Sequence, residues 1–234
     1  MTVSRRTLIG VSAVAALVLG GGLATALALT SGGAAKPAVT VTGADRIATL
    51  LDGVEQHGTV LGSPSAPVTL VEFADPQCPY CAEWEARALP DIVASYVRTG
   101  KVQVHFSGMT FVGADSETAF RTALAAGQQG RFWNVLSLLF ANQGTENTGW
   151  VTDSLLQSIG AAVPGLDTQA MLAERDSAAV NRAISAAETL ASTAGIDSTP
   201  TFAVGKTGGT LQIVQLSSFD ASGITPALDA ALSQ

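Results

Sequence analysis

Cysteine, histidine and charge are all scarce in this 234-residue chain, which has two cysteines, two histidines and only 13% Asp, Glu, Lys and Arg. Two cysteines cannot build a multi-bridge scaffold, so the 47% apolar content must hold one compact domain through its core. His57 and His105 have no companion at ligand spacing, so the ligand count speaks against a zinc site, and no metal is expected. Both read more simply as a solvated turn residue and a strand residue. Bases are outnumbered 12 to 19, for a formal net charge of −7. The first 28 residues hold no acid and two bases, so a chain cut there carries 10 bases against 19 acids, which argues against a nucleic-acid partner.

The amino terminus carries the longest uncharged run, residues 8–29, behind Arg5-Arg6. A basic pair followed by an apolar segment reads as an export signal, so residues 1–30 are expected to be a signal peptide or a transmembrane anchor. Two fates stay open. About 20 apolar residues can span a bilayer, while Ala24-Thr25-Ala26 and Ala26-Leu27-Ala28 offer small-residue cleavage sites. Ser4-Arg5-Arg6-Thr7 also fits a twin-arginine motif, leaving the export route open. Either route places the rest of the chain outside the cytoplasm, where disulfides persist. Residues 31–44 read as a linker and 45–234 as the folded domain.

The two cysteines stand together as Cys78-Pro79-Tyr80-Cys81, between the apolar run 68–73 and a helical pattern beginning near Ala82. A strand that delivers Cys78 to the first turn of a helix sets its sulfur among unpaired N–H groups and the positive end of the helix dipole, which stabilise a thiolate. Cys78 then acts as attacking and leaving group, and Cys81, one turn on and facing inward, resolves the mixed disulfide. An inert structural bridge is the plainer alternative, but so short a loop removes little unfolded-chain entropy. Glu72 interrupts the apolar run six residues earlier. Buried beneath the pair it could relay the Cys81 proton; on an edge it is an ordinary solvated glutamate.

Elsewhere, hydrophobic spacing predicts a short helix at 45–53, a strand at 54–61, and a helix after the cysteines that is kinked at Pro90 and stops at Gly100. A strand at 101–106 follows. Helical patterns then run from 116 to about 174, with Phe132 and Trp133 as core, and a long helix covers 178–194. A strand headed by Thr199-Pro200 comes next, then a hairpin turning at 206–209 and a closing helix at 224–232. A cis Thr199-Pro200 bond would hold backbone against the sulfurs, presenting Thr199 N–H and C=O to an extended substrate; a trans bond would be a plain strand opening.

Taken together, Val71-Glu72-Phe73-Ala74-Asp75-Pro76-Gln77-Cys78-Pro79-Tyr80-Cys81, Gly130-Arg131-Phe132-Trp133 and Gly195-Ile196-Asp197-Ser198-Thr199-Pro200-Thr201-Phe202 resemble exported DsbA-type thiol–disulfide oxidoreductases. The resemblance spans residues 54–232. It implies an α/β thioredoxin fold with an inserted helical domain at about 114–176. By the same resemblance Cys78 is the nucleophile, Cys81 the resolving cysteine and Glu72 the buried acid. Pro79, Tyr80, Thr199 and Pro200 are the substrate-facing residues, with Thr199-Pro200 as the cis-proline loop. No cofactor is expected beyond a Cys78–Cys81 redox disulfide. Exported protein thiols are the implied substrates, a membrane DsbB- or VKOR-like oxidase the implied partner, and a monomer the expected state. Tyr80 stands where the family often carries histidine, which implies a milder oxidant. Pro-Tyr also resembles DsbG-type proteins, so a reductase or isomerase kept reduced by a membrane donor is the same-class alternative. A thioredoxin-fold chaperone with a structural disulfide is the alternative from another class. Isomerase-type proteins carry a dimerisation domain that residues 30–62 are too few to build.

Overall fold

A computed structural model describes residues 39–234. The signal or anchor expected at 1–30, and most of the linker, lie outside the described residues. Among the described residues no helix is long and apolar enough to cross a membrane.

The central strand β3 (Val68–Ala74) is apolar on both faces because both are covered, as in a sheet layered between helices. It pairs in parallel with β4 (Val102–Gly108) and antiparallel with β5 (Thr201–Lys206). The six-stranded order is β1-β2-β4-β3-β5-β6, completed by β1 (Gln56–His57), β2 (Val60–Leu61) and β6 (Gln212–Val214). The single strand expected at 54–61 is therefore a hairpin. Gln56 pairs with Leu61 and His57 with Val60, leaving Gly58-Thr59 as a two-residue turn that needs the positive φ of 59° at Gly58.

Alternation along β3 puts Leu70, Glu72 and Ala74 on the face that meets the larger core, while Val71 and Phe73 pack with Ala203 and Ala191 on the other. The larger core receives α2 (Pro79–Arg87) and α9 (Thr225–Leu232), together with the helices of the insert, α4 (Ala114–Gly127), α5 (Phe132–Ala141), α6 (Asp153–Ala162) and α7 (Thr168–Ala173). Phe106 joins sheet to insert. Its ring lies 5.6 to 6.5 Å from those of Phe120, Phe132, Trp133 and Phe140. Helix α1 (Ala44–Leu51) packs on α5, and α8 (Ala178–Ala194) covers the second sheet face. Ser177 caps α8 by accepting from the Val180 amide, and Gly195 ends it in the left-handed conformation.

Pro90 has the expected effect. It cannot donate to the preceding turn, so α2 stops at Arg87 and the chain resumes as α3 (Leu89–Ile92) and a π-helical turn, Val93–Val97. The path stays helical through Ala88 N–H to Trp84 O (2.8 Å) and Ile92 N–H to Ala88 O (3.1 Å).

Candidate active site

Strand β3 ends at Ala74, and three residues carry the chain to Cys78, which is the N-cap of α2, with Pro79 in the first turn where its missing N–H costs nothing. The Cys78 amide donates to the Asp75 carbonyl at 2.9 Å, closing this turn. Cys78 keeps 6% of its surface and Cys81 none. Both are thiols in this structure. The Thr199-Pro200 peptide is cis, and the Cys78 thiol donates to the Thr199 carbonyl at 3.6 Å. The cysteine pair and the proline loop are thus in contact, while Tyr80 is 57% exposed with its ring stacked on Phe219, centroids 5.6 Å apart.

The Cys78 pKa is lowered to about 6. The largest cause is a hydrogen bond from the Cys81 thiol; burial opposes it, and the Thr199 side chain and the amides of Cys81 and Tyr80 add to the lowering. The helix-start amides act as expected but rank below the partner thiol, because the thiol can aim its hydrogen at the sulfur. Cys81 is pushed the other way by burial, by the Cys78 hydrogen bond and by the charges of Cys78 and Glu72. One sulfur is therefore a good leaving group and the other holds its proton.

Glu72 is fully buried, and among the described residues neither carboxylate oxygen has a hydrogen-bond partner. Burial raises its pKa well above the carboxylate range, with Glu85 and Cys78 adding to the rise. It is electrostatically in touch with both cysteines. His57 pairs with Glu55 at the surface and is 54% exposed, and His105 is a half-buried strand residue whose pKa burial lowers.

Sequence reasoning missed three residues around this centre. Glu85, on α2, is 5% exposed, accepts from Ser137 Oγ at 3.0 Å and is raised to about 8, chiefly by burial. Its signal was available: it lies four residues after Cys81 and four before Leu89, on the stripe that faces the core. Gln77 is fully buried, and Gln143 donates from Nε2 to the carbonyls of Pro76 (2.8 Å) and Cys78 (3.2 Å). Neither stands out in sequence, since a glutamine's burial depends on partners far along the chain.

A thioredoxin family model matches residues 55–212, well over half the chain. The chain belongs to the thioredoxin family. Among curated relatives, this thioredoxin-family chain is 37% identical over 101 residues to a probable disulfide bond formation protein D of Bacillus cereus, covering 42% of the chain and 47% of the relative. It is 29% identical over 150 residues to disulfide bond formation protein D of Bacillus subtilis, covering 62% and 66%. The match thus spans about half to two thirds of these relatives' lengths. Oxidised BdbD from Bacillus subtilis has a similar fold, with a TM-score of 0.66 at 24% identity over 77% of this chain and 98% of that one. The expected thioredoxin fold, with helices inserted between β4 and β5, is what the thioredoxin-family chain shows.

Proposed function

We propose that the chain is an extracytoplasmic thiol–disulfide oxidoreductase that introduces disulfides into exported proteins through a Cys78–Cys81 redox pair. The observation that carries this reading is a cysteine pair at the start of α2, with the Cys78 thiol against the Thr199 carbonyl of the cis Thr199-Pro200 bond and Cys81 wholly buried; the Cys78 pKa is lowered and that of Cys81 raised.

In the oxidised enzyme a client thiolate attacks Cys78 Sγ and the Cys78–Cys81 bond breaks. Cys81 takes the electron pair, and Glu72, neutral and buried, supplies its proton. A second client thiolate attacks the client sulfur of the mixed disulfide, and Cys78 leaves as the thiolate. The client has lost two electrons and the enzyme carries them as its dithiol. In the reverse sense Cys81 attacks and Glu72 accepts its proton. No cofactor enters; the redox group is the cysteine pair itself.

Pro79, Tyr80, Thr199 and Pro200 present the client backbone to Cys78. A cleft of about 410 Å³ beyond the end of β4, lined by Met109, Phe111, Glu188, Ser192 and Ile196, offers apolar walls to a client side chain. Met109, on its wall, bonds the Ala74 carbonyl through its amide (2.8 Å), at the end of the strand that leads to Cys78. The relatives named for disulfide bond formation support the oxidising direction. Re-oxidation is assigned to a membrane DsbB- or VKOR-like oxidase, with the apolar run at 8–29 exporting the chain or holding it at the membrane, where it acts as a monomer.

The test is the redox state of Cys78 and Cys81 in growing cells, read by alkylating trapped thiols and measuring the mass shift. A mostly oxidised pool is expected. A mostly reduced pool would assign the chain to reduction or isomerisation instead.

A further inference from the structure

The segment that delivers Cys78 is gripped from the helical insert as well as from its own strand. Gln77 is fully buried, and its side chain is saturated: Nε2 donates to Ser116 Oγ (3.0 Å) and reaches Asn147 Oδ1 (3.5 Å), while Oε1 accepts from the Asn147 amide (2.8 Å) and Trp150 Nε1 (3.4 Å). One residue on, the Cys78 carbonyl accepts from the Ala82 amide (3.2 Å) and from Gln143 Nε2 (3.2 Å), which also donates to the Pro76 carbonyl (2.8 Å). The orientation of the Cys78 carbonyl fixes the peptide plane that leads into α2, and so where the amides of Tyr80 and Cys81 point relative to the sulfur. A neutral side-chain amide from a segment 65 residues away sets that plane.

We propose that Gln143 is a positioning residue for the Cys78 sulfur, through which docking of the insert loop on the redox turn controls how reactive that sulfur is. The insert then does more than enlarge the core. Gln77 seals the loop against the turn, and Gln143 holds the carbonyl, with its N–H dipole directed at the first turn where negative charge develops. This deepens the redox reading of Cys78 and rests on it.

The experiment is a titration of reduced protein by thiolate absorbance near 240 nm, on wild type and three variants. Gln143→Met keeps the length and removes both donors; the Cys78 midpoint is expected to rise by about half a unit to one unit, the scale of one net hydrogen bond. Gln143→Lys keeps a donor at that reach, and its midpoint is expected to stay at or below that of wild type. Asn142→Ala removes the neighbouring side chain, which bonds the Thr42 and Leu138 carbonyls and not the redox turn, and is expected to lower stability without moving the midpoint. A Gln143→Met midpoint equal to wild type, or an equal rise in Asn142→Ala, would overturn the positioning role while leaving the redox reading intact. A wild-type midpoint near 9 would overturn the redox reading and this inference with it.

Discussion

Removing the partner thiol should do more to Cys78 than any change to the helix start, because the Cys81 hydrogen bond is the largest cause of the lowered pKa. With a pKa of about 6, about nine-tenths of Cys78 is thiolate at pH 7. A hydrogen bond to a charged group contributes about 1.5–3 kcal/mol, or about one to two pKa units. Solvent on the client side of the sulfur screens part of that, so Cys81→Ala should move the midpoint up by about one unit, to about 7, and halve the thiolate at pH 7. Cys81→Ser retains a hydroxyl donor and should move it less. The assay is the pH dependence of alkylation of Cys78, the sole remaining thiol, with the thiolate absorbance as a second readout. If both variants titrate near 6, the partner thiol does not hold the charge, and the mechanism loses its account of why Cys78 is the sulfur that leaves.

Other outcomes follow from the same geometry. In the reductive sense, where Cys81 attacks the mixed disulfide, Glu72→Gln should slow resolution more than the initial attack by Cys78, measured by rapid-quench kinetics; equal slowing would remove Glu72 from proton transfer. Glu85→Gln bears on stability: because the folded-state pKa of about 8 lies above the ordinary glutamate value of 4.5, the native protein binds the extra proton between those values, so its stability relative to the Gln variant is full below pH 4.5 and is lost as pH rises through 8. Urea unfolding of the oxidised forms across that range should show the gap closing and then reversing in favour of Gln, and a pH-independent gap would contradict it. Phe111→Asp should weaken turnover of clients with apolar residues beside the target cysteine and leave oxidation of a small dithiol unchanged. Gly108→Ala would set a methyl 2.5 Å from the Phe120 ring, so it should destabilise by about 1–3 kcal/mol in a denaturant titration.

What the sequence disclosed was whatever local pattern encodes. The largely apolar run of β3, the Cys-Pro-Tyr-Cys turn with proline in the first helical turn, and the Ser177 and Gly195 ends of α8 all state their structure within a few residues. The β1–β2 hairpin was misread as one strand because its turn residues, Gly58-Thr59, sit inside an otherwise strand-like stretch, and only the pairing register reveals the fold-back. The site divided the same way. Cys78, Cys81 and Glu72 were legible because a thiol pair and an acid in an apolar run are chemically conspicuous. Gln77 and Gln143 were not, since their roles come from bonds made across 39 to 73 residues of chain. Nor could spacing rank the causes of the Cys78 pKa: it suggested the helix start, and the partner thiol proved larger.

The central claim is that Cys78 is the sulfur that forms the covalent link to a client, and Cys81 its buried partner, displaced when a client is oxidised and resolving the mixed disulfide in the reverse sense. Expression of the full chain carrying Cys81→Ser, followed by acid quenching, non-reducing electrophoresis and mass spectrometry, tests it directly. Reducible, high-mass adducts linked through Cys78 to cysteine-containing exported proteins are expected, absent when Cys78 is also replaced. A Cys81→Ser protein that accumulates folded and carries no such adduct would contradict the account.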